Sequence, residues 1–155
     1  MKTADLEKIL LDTFGHLDPI RLLALTIYGE ARGERDIGKI AVGTVILERV
    51  DHRDWDGTTI REVCLMSYQF SCYLPKDPNF PKMREFAEDW QAAVAKSASL
   101  RACYDIAAGL LNGVIPRDPI IAKNHATQYL RVDCDANWEK KMTKVATVGA
   151  HDFYA

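Results

Sequence analysis

Apolar residues recur at intervals of three and four along most of this chain. Leu6, Ile9, Leu10 and Phe14 mark a short amphipathic helix over residues 4–14. A second stripe, Leu22, Leu23, Thr26 and Ile27, follows Pro19 in a first helical turn behind Asp18 as N-cap, and Gly33 stops it. A third helix starts at Asp36, and its run Ile37, Ile40, Ala41, Val42, Val45, Ile46, Leu47 is apolar on nearly every side, which predicts a central position. Thr59-Ile60-Arg61-Glu62 matches a capping box and opens a short helix through Val63, Cys64 and Leu65. After a loop punctuated by Pro75, Pro78 and Pro81, helical spacing returns at Phe86, Trp90 and Val94. Leu100, Cys103, Tyr104, Ala107, Leu110 and Leu111 form the stripe of a further helix, closed by Asn112-Gly113.

The period changes twice. Ser67, Gln69 and Ser71 alternate with Tyr68, Phe70 and Cys72, which predicts a half-buried strand with Gln69 and Ser71 on one face. Residues 144–154 read as two short strands around Gly149. With no repeat, low-complexity tract or linker, residues 1–155 are expected to form one α+β domain, predominantly helical with a small β element.

Composition narrows the partners. An apolar fraction of 48% and a charged fraction of 27% are those of a globular protein able to bury a core without staples. A net charge of −2 disfavours nucleic acid and leaves an uncharged polymer open. No apolar run nears the roughly 20 residues that span a bilayer, so no membrane partner is expected. Acids at Asp5 and Glu7 do not suit a signal peptide, which predicts synthesis ending in the cytosol. A monomer is expected. Cys64, Cys72, Cys103 and Cys134 lack metal-ligand spacing and read as buried free thiols, with a Cys64–Cys72 bridge as the alternative. His16, His52, His125 and His151 are equally scattered, so neither a metal nor another cofactor is expected.

Glu30 carries the chemistry. It ends the second apolar stripe, where burial and the carbonyl end of the helix both favour the neutral acid, a form suited to donating a proton near neutral pH. An acid near a helix end is, by itself, more often a solvated surface residue.

Several segments resemble, in order, the SleB-type cell wall hydrolases, the spore-cortex-lytic enzymes and their phage endolysin relatives. They are Ile27-Tyr28-Gly29-Glu30-Ala31-Arg32-Gly33-Glu34, the apolar helix from Ile37 to Val50, Gln69-Phe70-Ser71-Cys72, Ala126-Thr127-Gln128-Tyr129 and Val148-Gly149-Ala150-His151-Asp152-Phe153-Tyr154. The resemblance implies a lysozyme-like fold of the goose-lysozyme and lytic transglycosylase type, acting on peptidoglycan glycan strands, with Glu30 as catalytic acid/base. It implies substrate contacts at Gln69, Ser71, Tyr129, Tyr73 and Gln128. Three positions depart from the family: Gln128 and Leu130 stand where it usually has His, and Tyr73 where it usually has Trp.

Cleavage between N-acetylmuramic acid and N-acetylglucosamine needs a proton for the leaving oxygen and a captor for the oxocarbenium-like centre. Residues 63–76 contain no Asp or Glu, which favours a lytic transglycosylase, where the sugar's own C6 hydroxyl is the captor. Asp51 and Asp54 are the candidates for a second carboxylate in a hydrolytic muramidase, while Glu34 reads as a bracket for the next helix. Two other classes stand beside these: a non-catalytic virion-associated wall-binding module, and a peptidoglycan amidase or peptidase built on Cys72 and His125. The expected setting is an endolysin held in the cytoplasm and acting on the wall from the periplasm after release.

Overall fold

The computed structural model describes residues 1–155. Helix α1 spans Thr3–Phe14, α2 Pro19–Ala31, α3 Asp36–His52 and α4 Ile60–Leu65. Then come α5 (Phe80–Glu88), α6 (Trp90–Lys96), α7 (Ala98–Asn112) and α8 (Pro119–Asn124). Strands β1 (Gln128–Arg131), β2 (Lys144–Val148) and β3 (His151–Tyr154) form one antiparallel sheet in the order β1-β3-β2. The structure is therefore mostly helical with a small sheet.

Helix α2 is the inner rod of the helical part. Asp18 caps it by accepting from the Arg21 amide at 2.8 Å, Pro19 sits in its first turn, and every residue from Leu22 to Ile27 is buried. It packs on α3, α4 and α7. Helix α3, expected to be central, joins the two halves of the domain: it touches α2, α4 and α7 on one side and α8, β1 and β2 on the other. Close approach depends on small residues, since a Cβ on Gly43 would lie 2.6 Å from Leu110 Cδ1.

The strand expected at residues 67–72 is not there. Gln69 N–H turns back to the Met66 carbonyl at 3.2 Å, Tyr68 adopts a left-handed φ of 65°, and Ser71–Tyr73 form a 3-10 turn. No other strand lies alongside, so these backbone groups pair locally, and alternation here reflects a turn dipping in and out of the core. Gln69 and Ser71 consequently share no face. The Phe86-Trp90-Val94 stripe also crosses a break: Asp89, at φ −144°, ends α5 and caps α6 by accepting from the Ala92 amide at 3.1 Å. Both short strands around Gly149 form as expected, whereas α8 and β1 carry no periodic pattern long enough to announce them.

Candidate active site

A groove of about 740 Å³ opens between the carbonyl end of α2 and the sheet, with Glu30, Glu34, Ser71, Asn79, Tyr129, Arg131 and His151 in its walls. Glu30 is the penultimate residue of α2. Part of the side chain reaches the groove, but its Oε1 is sealed from solvent and has no hydrogen-bond partner. Burial raises its pKa above the ordinary 4.5; the Cys72 thiol, the Tyr129 hydroxyl and the charge of Arg49 pull the other way, and the charge of Asp77 adds to the rise.

Its neighbours are placed by specific packing. Gly29 lets the 3-10 turn come against α2, because a Cβ there would stand 2.6 Å from Cys72 Sγ. Tyr129 arrives on β1, opposite Phe153 of β3, and packs edge-on against His151 at 5.3 Å. Burial pushes both the Tyr129 hydroxyl and the Cys72 thiol well above their usual ranges, so both keep their protons. The strand itself is tethered from α3: Arg49 Nε donates to the Thr127 carbonyl at 2.7 Å, and Arg53 Nη1 donates to the same oxygen at 3.3 Å. Burial lowers the Arg49 pKa to about 10, which leaves it charged at neutral pH.

The second acid of the groove is Glu34. It does not bracket α3; it crosses to the sheet, where Oε1 accepts from the Ala150 amide at 2.9 Å and lies 3.2 Å from His151 Nδ1. Two glycines make its berth, since a Cβ would stand 2.8 Å from Glu34 Cβ at Gly38 and 2.4 Å from Glu34 Oε2 at Gly149. Burial lowers the His151 pKa, with Glu34 opposing and Arg131 reinforcing the shift.

Of the residues expected to contact substrate, Ser71 and Tyr129 share the groove with Glu30. Gln69, Tyr73 and Gln128 are not among its lining residues. The side-chain carbonyl of Gln69 accepts from Arg53 at 3.4 Å, and that of Gln128 accepts from Arg49 at 3.3 Å. Tyr73 is a core residue, its hydroxyl paired with Thr26 Oγ1 at 2.8 Å and its ring edge-on to Phe14. Its apolar ring and single buried partner explain why a tyrosine serves there. Asn79, Arg131 and His151 line the groove without a sequence signal for it, and Glu34, expected chiefly to bracket the next helix, faces inward instead. Asp51 pairs with Arg117 at 2.7 Å and, like Asp54, does not line the groove. His125 lies against His52 rather than Cys72, which removes the imidazole a peptidase would need. The four cysteines are free, and Cys134, expected to be buried, is exposed on the groove wall.

Comparison with known proteins now bears on this geometry. A model of the cell wall hydrolase family matches residues 33–154, a span that begins just beyond Glu30. Two solved structures share the fold. The catalytic domain of the germination-specific lytic transglycosylase SleB from Bacillus anthracis is 23% identical with a TM-score of 0.60, over 88% of this chain and 93% of that one. The catalytic domain of Bacillus cereus SleB is 23% identical with a TM-score of 0.55, over 88% of this chain and 89% of that one. No curated protein sequence matches the chain. The two solved structures share the fold, and the family match across most of the chain gives the assignment: this protein is an enzyme of the cell wall hydrolase family.

Proposed function

We propose that the groove binds a peptidoglycan glycan strand and cleaves it between N-acetylmuramic acid and N-acetylglucosamine as a lytic transglycosylase. The observation that carries this reading is Glu30, an enclosed acid with a raised pKa at the floor of an open groove. Glu30 protonates the glycosidic oxygen as the bond breaks. The carboxylate it leaves then takes the proton from the C6 hydroxyl of muramic acid as that oxygen closes on C1, giving a 1,6-anhydro end and restoring the acid. One group serves both steps, and Tyr129, a phenol that keeps its proton beside Glu30, steadies the carboxylate between them.

A hydrolase of this kind needs a second carboxylate at about 5–9.5 Å to act as nucleophile or activate water. Asp77 feels Glu30 electrostatically, but its Oδ1 is occupied by the Asn79 amide at 2.8 Å and it does not line the groove. Glu34 does line the groove, which makes hydrolysis the second reading, although its Oε1 is engaged by Ala150. The likeness of the sequence motifs to phage endolysins supports a role in host-cell lysis.

Purified cell wall digested by the enzyme separates the readings. Mass spectrometry is expected to show 1,6-anhydromuramic ends, absent with Glu30→Gln. Reducing muramic ends lost in Glu34→Gln would establish hydrolysis, and undiminished cleavage by Glu30→Gln would reject the site.

A further inference from the structure

Outside the groove, where α8 packs on α3, Glu48, His52 and His125 converge, and no step of the proposed reaction uses them. Glu48 and His52 are one turn apart on α3, a spacing that puts two side chains on the same face. His125 comes from the end of α8, where the backbone holds it at a left-handed φ of 51°, uncommon for a residue with a Cβ. Its amide closes the helix onto the Ala122 and Ile121 carbonyls, so the strained turn is anchored and the ring is delivered over α3.

The carboxylate is the buried member, with a side chain 2% exposed, while the two imidazoles cover it at 43% and 57% exposure. His52 Nε2 lies 3.3 Å from Glu48 Oε2, and His125 Nδ1 lies 3.7 Å from Oε1. Both separations exceed those of charge-assisted hydrogen bonds. The rings face each other with centroids 4.0 Å apart, and one donor atom from each of the three residues falls within 4.8 Å of the others. Ligands of a tetrahedral zinc ion at about 2.0–2.1 Å stand somewhat over 3 Å apart, so small side-chain rotations close the set.

We propose that Glu48, His52 and His125 form a binding site for a divalent transition-metal ion, zinc best matching two imidazoles and a carboxylate. Arg117 supplies the outer support: Nη1 holds Glu48 Oε2 at 3.2 Å, leaving Oε1 for the ion, and Nη2 is neutralised by Asp51 at 2.7 Å. The ion acts on structure. It fastens α3 to the segment two residues ahead of Thr127, whose carbonyl Arg49 and Arg53 hold, and so tightens the root of the strand bearing Tyr129. The site stands independently of the proposed glycosidic chemistry.

Titration calorimetry of the metal-stripped protein with zinc chloride at pH 7.5 tests it, with His52→Ala, His125→Ala and, as a control for the exposed thiol, Cys134→Ser. One equivalent is expected to bind at about micromolar affinity or tighter and to raise the melting temperature. Each histidine variant is expected to weaken binding by about 10- to 100-fold, with Cys134→Ser unchanged. Both histidines are exposed, so their variants fold. No binding by the wild type, or binding that survives in both histidine variants, overturns the proposal.

Discussion

Arg49 Nε donates to the Thr127 carbonyl at 2.7 Å, so the strand that brings Tyr129 to Glu30 hangs from α3 by a buried guanidinium. The same group donates to Gln128 through Nη2 at 3.3 Å and lies over the Phe70 ring at 5.0 Å. Two of these contacts fix the start of β1 and the third holds the fork against the turn at Phe70, and lysine, with a single ammonium, cannot reproduce all three.

Arg49→Lys is therefore expected to lower stability by about 1.5–3 kcal/mol, the range for hydrogen bonds to charged groups. A displaced Tyr129 should also reduce wall cleavage by about 10- to 100-fold. Urea unfolding and a turbidity assay on the same preparation check both. Full activity in a destabilised variant would show that Arg53 and the sheet are enough to hold β1 in place.

Replacing Glu30, the proposed catalytic acid, should stabilise the fold. The Glu30 pKa is raised by burial above the 4.5 of an exposed carboxyl. Its stabilising contribution is then fully present below pH 4.5 and lost as the pH rises through the folded-state pKa, where a buried group must ionise. Glu30→Gln, neutral at every pH, is expected to melt above the wild type at pH 8 and together with it near pH 4.5. Each kcal/mol would move the midpoint by about 2–4 °C. Calorimetry across that pH range reads the difference.

Tyr129→Phe should move the pH profile upward. The Tyr129 hydroxyl lowers the Glu30 pKa, so its removal leaves burial less opposed and the acid protonated to higher pH. The alkaline limb of the rate profile is expected to shift to higher pH, along with a loss of peak rate from the unsupported carboxylate. An unmoved limb would place the rate-limiting proton elsewhere.

Gly149→Ala should loosen the far wall of the groove. Gly149 has a φ of 57°, and a Cβ there would stand 2.4 Å from Glu34 Oε2. The left-handed conformation alone costs about 1–2 kcal/mol for alanine, and displacement of the carboxylate adds to it. In a Glu34→Ala background only the backbone cost should remain, so the two changes are expected to be non-additive in a double-mutant cycle.

The helical frame was legible because its signals are local. Asp18-Pro19 and the Thr59–Glu62 box act within one turn, and both caps form, the latter with Thr59 Oγ1 accepting from the Glu62 amide at 3.2 Å. Glu30 was legible for the same reason, as an acid at the end of an apolar stripe. What escaped depends on contacts between distant segments. The alternation at residues 67–72 is compatible with a strand, and only the lack of a neighbouring strand makes it a turn. Glu34 meets Ala150 across 116 positions, and neither residue carries a pattern that names the other. His52 and His125 approach because α8 ends in a left-handed residue, which no periodicity reports.

Of the four thiols, three are shut inside the protein, and the fourth, Cys134, stands at the lip of the groove. A maleimide fluorophore therefore has one address on the native protein, next to the place where a glycan would lie. Labelled there, the molecule becomes its own optical gauge of ligand occupancy.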